Sequence, residues 1–179
     1  PLDMRMDQSG GAASAALTAE AILNTWDAPA IADVLWKYGE ERESRRIARA
    51  IVAARPLRTT AELTALLRTA GSKREPKEVL RRNSRVFQAL RIEVNQELGE
   101  LESVLLQAAR LLRPGGRLAV LSYHSLEDRR VKRLLRSGGF EDVPSPQDVY
   151  GNVLAPWKPL TRRAVVAADA EVAVNPRAR

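Results

Sequence analysis

Pro114-Gly115-Gly116-Arg117-Leu118-Ala119-Val120-Leu121-Ser122-Tyr123-His124-Ser125-Leu126-Glu127-Asp128 is the stretch that decides the fold. One proline and two glycines break the chain, and 117–122 is then a short apolar run of the kind found in a buried parallel strand. Helical spacing resumes over 126–136, with Ser125 placed as N-cap and Glu127 and Asp128 in the first turn, where the helix dipole favours carboxylates. Upstream, Phe87, Leu90, Val94, Leu98, Leu101, Leu105, Ala108 and Leu112 recur at steps of three and four, which predicts one long helix over 86–112. Helix, tight turn, strand and helix in succession is the order of a doubly wound α/β sheet.

Towards the N-terminus the pattern is helical throughout. An uncharged Gly, Ala and Ser stretch over 8–17 predicts a flexible loop entering a helix capped by Thr18. Helical spacing covers 17–26, 29–38 and 41–55, with Gly39 as the stop between the second and third. In the third, Ile47 and Ile51 share one face while Arg42, Arg45, Arg46 and Arg49 populate the others, so that helix is amphipathic and strongly basic. Thr59 or Thr60 caps a fourth helix running to about Ala70, with Glu62 in its first turn, and 71–76 is a polar linker. Beyond Ser137 the prolines at 144, 146, 156 and 159 predict turns, with a short strand such as 164–167.

Composition bounds the function classes. The chain has 179 residues, enough for one domain or for a lobe with an insertion. Its 29 Lys plus Arg against 22 Asp plus Glu leave a net charge of +7, which favours a polyanionic partner. The absence of cysteine excludes disulfides, thiolate zinc sites and thiol nucleophiles. Gln107 and Arg110 interrupt even the richest apolar run, 104–112, so no membrane span is expected. The Pro1-Leu2-Asp3-Met4-Arg5 opening lacks the layout of a signal peptide and reads as a cut inside a longer chain.

In open α/β sheets ligands sit outside the carboxyl ends of the strands, which makes 122–128 the best functional address. His124, the single histidine, lies there, and its alternative is a structural or surface role. His124 with Ser125 also admits a hydrolase, although Ser125 reads better as a helix cap. Gln88, Arg91 and Asn95 share one polar edge of the long helix, suited to a ligand or loop, or to bracing backbone carbonyls. Arg42, Arg45, Arg46, Arg49, Lys73, Arg74, Arg81, Arg82, Arg129, Arg130, Lys132 and Arg133 come in runs, which favours RNA contact over merely solvated faces. Nothing in the sequence resembles an aromatic base-stacking platform.

A set of blocks adds a resemblance. Pro1-Leu2-Asp3-Met4-Arg5-Met6-Asp7, Tyr38-Gly39-Glu40-Glu41, Arg46-Ile47-Ala48-Arg49-Ala50-Ile51, the run from Phe87 to Leu98, Pro114-Gly115-Gly116-Arg117-Leu118, His124-Ser125-Leu126-Glu127-Asp128-Arg129 and Asn175-Pro176-Arg177-Ala178-Arg179 occur in order along nearly the whole chain. Together they resemble the bacterial small-subunit (16S) ribosomal RNA cytidine N4-methyltransferases, the MraW family. The resemblance implies an incomplete Rossmann-like α/β methyltransferase domain with a helical insertion. Residues 1–16 would form an active-site rim, 17–82 the substrate-recognising insertion and 83–179 the C-terminal part of the methyltransferase domain.

It also implies S-adenosylmethionine as cofactor, no metal, and small-subunit rRNA or the ribosomal subunit as partner, with a homodimer open. The expected compartment is the cytoplasm, or an organelle in a eukaryote. Asp3, His124 and Ser125 are the catalytic candidates; Arg5, Arg91, Asn95, Glu127 and Arg129 are the substrate-binding candidates, with Arg91 and Asn95 acting as supports. The family's glycine-rich cofactor loop is expected upstream of Pro1, so this chain is expected to be inactive alone. The competing reading is a non-catalytic RNA-binding or ribosome-assembly factor.

Overall fold

The computed structural model describes residues 1–7, 17–72, 75–141, 144, 146–152, 154–161 and 163–178. The loop expected over 8–17 lies outside them as far as residue 16, as do Lys73, Arg74 and Arg179. The described residues form eight helices: α1 (Ala19–Thr25), α2 (Ala28–Gly39), α3 (Ser44–Ala53), α4 (Thr60–Ala70), α5 (Pro76–Asn95), α6 (Glu97–Leu111), α7 (Ser125–Ser137) and α8 (Asp169–Val174). The chain divides into two compact units, Pro1–Leu101 and Glu102–Arg179.

The first unit is a helical assembly in which α2 packs against both α3 and α5. Each early helix starts where its cap dictates. The Thr18 hydroxyl accepts from Ala21 N, Asp27 Oδ1 accepts from Ala30 N, and Thr59 with Glu62 forms a reciprocal capping box. Ile22, Leu23, Ile31, Leu35, Ile47, Ile51, Leu63, Leu67 and Leu90 are wholly inaccessible and form one core. Each such burial contributes about 1.5–3 kcal/mol relative to exposure.

Two expectations in this unit change. Gly39 is the last residue of α2 rather than its stop; the left-handed turn falls on Glu40, at φ 50°. The glycine serves close packing, because a Cβ there would sit 2.7 Å from the Arg85 carbonyl oxygen. The long helix expected over 86–112 starts earlier, with Pro76 in its first turn, and is divided at Gln96, whose φ is 50°. A single left-handed residue between two helices leaves the three-and-four spacing of the apolar stripe nearly intact, so periodicity alone cannot reveal it.

The second unit holds most of α6, then α7 and α8, around Leu105, Leu126, Val131 and Leu134. Arg130 Nε donates to Glu102 Oε1 at 2.6 Å, tying α7 to α6. The strand expected over 117–122 is not formed: those residues carry no regular structure, and the only strand-type pairing among the described residues is an isolated bridge at Gln147. A strand, unlike a helix, leaves its N–H and C=O groups for a neighbour to satisfy. Residues 164–167 likewise form no strand and lead into α8. A tight turn around Asp148 precedes them, with Asp148 N donating to the Asn152 carbonyl and Leu154 N to the Pro146 carbonyl. No helix among the described residues is long and apolar enough to cross a membrane.

Candidate active-site rim and nucleic-acid face

The opening segment is held down by its own backbone. Leu2 is fully buried, and the Leu2 and Asp3 carbonyls accept from Glu20 N and Ala19 N at 2.7 and 3.1 Å. These are first-turn amides of α1, which have no partner within the helix. Asp3 is then gripped by Arg5, whose Nε and Nη2 donate to Oδ1 and Oδ2 at 2.6 and 2.8 Å. The Arg5 guanidinium lowers the Asp3 carboxyl to about 2, and Asp3 in turn raises Arg5. A carboxylate of that acidity is a poor proton acceptor at neutral pH but a steady electrostatic partner for an amine or cation.

Asn95, near the end of α5, closes on the same segment. Its Nδ2 donates to the Met4 and Arg91 carbonyls, both at 2.8 Å, and its Oδ1 accepts from Met6 N at 2.7 Å. Met4, at φ 61°, occupies the left-handed region that a non-glycine residue rarely adopts, and Asn95 binds its carbonyl and the amide two residues on. Gln88, two turns earlier, donates to the Tyr38 carbonyl at 3.1 Å. Arg91 forms a two-point pair with Glu97, at 2.7 and 3.0 Å. Asp3, Arg5 and Asn95 therefore meet in the first unit, with Arg91 one turn away.

In the second unit His124, not Ser125, is the N-cap of α7. Its Nδ1 accepts from Glu127 N at 3.3 Å, and Glu127 reaches back to Tyr123 N at 2.7 Å. An acceptor Nδ1 implies that the neutral ring carries its proton on Nε2, which lies 3.5 Å from Glu127 Oε1. The Nδ1 atom thus does what the serine hydroxyl was expected to do, and Ser125 stands exposed at the first helical position. Among the described residues no hydrogen bond joins Ser125 to His124, so the hydrolase arrangement is not assembled. Arg129 is exposed on the same helix.

A buried charge network was not legible beforehand. Glu41, only 2% exposed, accepts from Arg85 Nε at 2.7 Å and from Glu43 N at 3.0 Å. Glu43 accepts from Ser72 N at 2.9 Å and pairs with Arg82 at 3.4 Å. Arg82, at 1% exposure, also donates to the Leu67 carbonyl at 2.9 Å. Burial pushes Glu43 up, but hydrogen bonds from Ser72 and the charges of Arg82 and Arg46 outweigh it and the net shift is downward. The available signal was spacing: Glu78, Arg82 and Arg85 fall at steps of four and three on α5.

Two grooves open on the first unit. One, of about 450 Å³, runs beside Trp36 and Arg42, Arg45, Arg46 and Arg49; the other, of about 310 Å³, lies along the outside of α4 by Arg68. Neither has a lining suited to S-adenosylmethionine: in the first, four guanidiniums outnumber the carboxylates of Asp33 and Glu43 and disfavour a sulfonium cation, and no carboxylate lines the second. In the second unit the cations are more engaged: Lys132 pairs with Asp128 at 2.6 Å and Arg133 donates to the Phe140 carbonyl at 3.3 Å.

Comparison with known proteins places the chain first in a class, that of the methyltransferases. A family profile described as the MraW methylase family matches residues 1–179, and the chain belongs to that family. It is similar to proteins named ribosomal RNA small subunit methyltransferase H. That of Amoebophilus asiaticus (strain 5a2) is 44% identical over 182 residues, covering 100% of this chain and 56% of the relative. That of Gloeobacter violaceus is 48% identical over 179 residues, covering 100% and 50%, and that of Acidiphilium cryptum 48% over 187 residues, covering 100% and 57%. The chain spans about half the length of the curated relatives it matches.

Proposed function

We propose that, in a protein of its relatives' length, this chain is the later part of a Rossmann-like, S-adenosylmethionine-dependent methyltransferase acting on the exocyclic N4 of a cytidine in small-subunit rRNA. The observation that carries this reading is the family match across residues 1–179, together with relatives named for methylating that RNA. Residues 17–82 are then a helical insertion that recognises the substrate. The methyl group comes from the cofactor, held by residues upstream of Pro1, and the residues present here serve the RNA side.

In that role the Asp3 carboxylate, fixed by Arg5, orients an exocyclic amine rather than deprotonating it, as its lowered pKa requires. Asn95 supports the rim from α5, with Arg91 behind it. His124, oriented by Glu127, presents Nε2 at the strand-end loop beside Ser125, and Arg129 offers a cation to phosphate. The 117–122 run pairs with strands supplied by the rest of the sheet.

The test uses the full-length protein with small ribosomal subunits from cells lacking it, labelled cofactor, and nucleoside mass spectrometry. Label in N4-methylcytidine is the expected result, falling about a hundredfold in Asp3→Asn, where the carboxylate is lost and the geometry is perturbed. Subunits bound but unmethylated would favour the assembly-factor reading. Calorimetry of this chain alone is expected to detect no cofactor binding.

A further inference from the structure

The groove between α2 and α3 has no part in the chemistry above. Trp36 lies one residue beyond the buried Leu35, which turns it about 100° around α2, away from the core stripe. It is 60% exposed, whereas Trp26 packs against the core. Leaving an indole in water costs free energy that ordinary surface residues do not, so an exposed one bordering a groove points to a partner. Arg42, Arg45, Arg46 and Arg49 line the same groove of about 450 Å³. Arg46 lies 3.7 Å from Glu43, while Arg42, Arg45 and Arg49 make no ion pair among the described residues. Arg45 and Arg49 stand one turn apart on α3, about 6 Å along its axis.

The two acids at the groove do not cancel this charge. Glu43 is already engaged by Ser72 and Arg82, which leaves Asp33 as the exposed carboxylate. An acidic protein segment would satisfy the guanidiniums but leave the indole face unmatched. A helical RNA would satisfy the guanidiniums too, yet its bases are stacked on each other and cannot reach the indole. An unpaired nucleotide matches both features, with its base on the indole and its flanking phosphates on the arginines. Asp33 then accepts from an exocyclic amine at the base edge.

We infer that Trp36 with Arg42, Arg45 and Arg49 forms a binding site for an unpaired nucleotide of RNA, whose base stacks on the indole. The site deepens the rRNA-methyltransferase reading and rests on it for the identity of the RNA. It lies in the helical insertion and grips a nucleotide other than the one being methylated.

The experiment uses the full-length protein, a fluorescent single-stranded RNA of about 12 nucleotides taken from the methylated region, the same RNA annealed to its complement, and polyglutamate as competitor. Trp36→Ala is expected to weaken single-strand binding about tenfold and Trp36→Phe to retain most of it. Each of Arg45→Gln and Arg49→Gln is expected to reduce the slope of log affinity against log salt by about 0.7. Trp36→Ala binding as tightly as wild type, annealed RNA binding as tightly as the single strand, or polyglutamate displacing RNA at equal charge would each overturn the inference. The same preparations are assayed for methyl transfer. Active wild type with RNA binding indifferent to Trp36 overturns the groove alone, whereas inactive wild type whose RNA binding depends on Trp36 overturns the enzymatic reading and leaves the groove.

Discussion

The first unit closes over its apolar residues, with Leu23, Leu35, Ile47 and Leu90 all at 0% exposure, while in the second Leu121, Val149 and Val165 stand 76%, 92% and 86% exposed. Both are rich in Leu, Val and Ala, so composition is not the difference. Helices satisfy their own backbone, so α1 to α5 need only side-chain packing to close a core, α2 against both its sequence neighbour α3 and the more distant α5. An apolar run with strand character depends on partners far along the chain. The contrast teaches that Pro1–Leu101 carries the information for its own packing, whereas the residues around 117–122, on the reading proposed above, would need strands from elsewhere in a sheet to complete theirs.

That contrast breaks most readily in the core. In this chain Leu35→Ala is expected to cost about 3 kcal/mol in denaturant unfolding, and Leu121→Ala to stay within about 0.5 kcal/mol. In a protein of the relatives' length the Leu121→Ala cost should rise towards the core value, and equal costs in the short chain would erase the distinction. Arg82→Met comes next, at about 2 kcal/mol for the lost charged hydrogen bonds to Leu67 and Glu43, read by the same unfolding curve. Asn95→Ala should cost about 1 kcal/mol and remove the exchange protection of the Met6 amide. His124→Ala should cost about 1 kcal/mol and deprotect the Glu127 amide, whereas Ser125→Ala should leave it protected.

The smallest effect is a titration. Arg5 holds Asp3 near 2, below its unfolded value near 3.9. Asp3 therefore adds stability that is fully present above about pH 4 and is lost as pH falls towards 2. NMR titration of the carboxyl should give a midpoint near 2, and Arg5→Gln should move it upward. A wild-type midpoint near 4 would mean that the grip is absent in solution.

How much was legible follows from the same physics. α1, α2 and α4 were readable because a cap residue and an apolar stripe are both local, as Thr59 with Glu62 shows. The start of α5 was missed because Lys77 to Arg85 is mostly polar, its apolar Val79 and Leu80 adjacent rather than three or four apart, and the burial of Arg82 among its partners is a tertiary fact. The α7 cap was misplaced by one residue because an imidazole Nδ1 can accept the same amide as a serine hydroxyl. Asp3 was flagged by resemblance, but its engagement with Arg5, two residues on, depends on the turn at Met4, and Asn95, which holds Met4 and Met6, lies some ninety positions away. The Trp36 groove escaped because one tryptophan in an otherwise helical pattern carries no sign of which way it faces.

Gly71 leaves its Cβ position to Arg82: a methyl group there would lie 2.0 Å from the guanidinium carbon. In evolutionary terms the two positions are not independent. A lineage that enlarges residue 71 while keeping the arginine must shift its guanidinium, and one that first shortens residue 82 opens the space for a methyl group at 71. Drift across this pair is thus coupled, a change at either position altering what the other can hold.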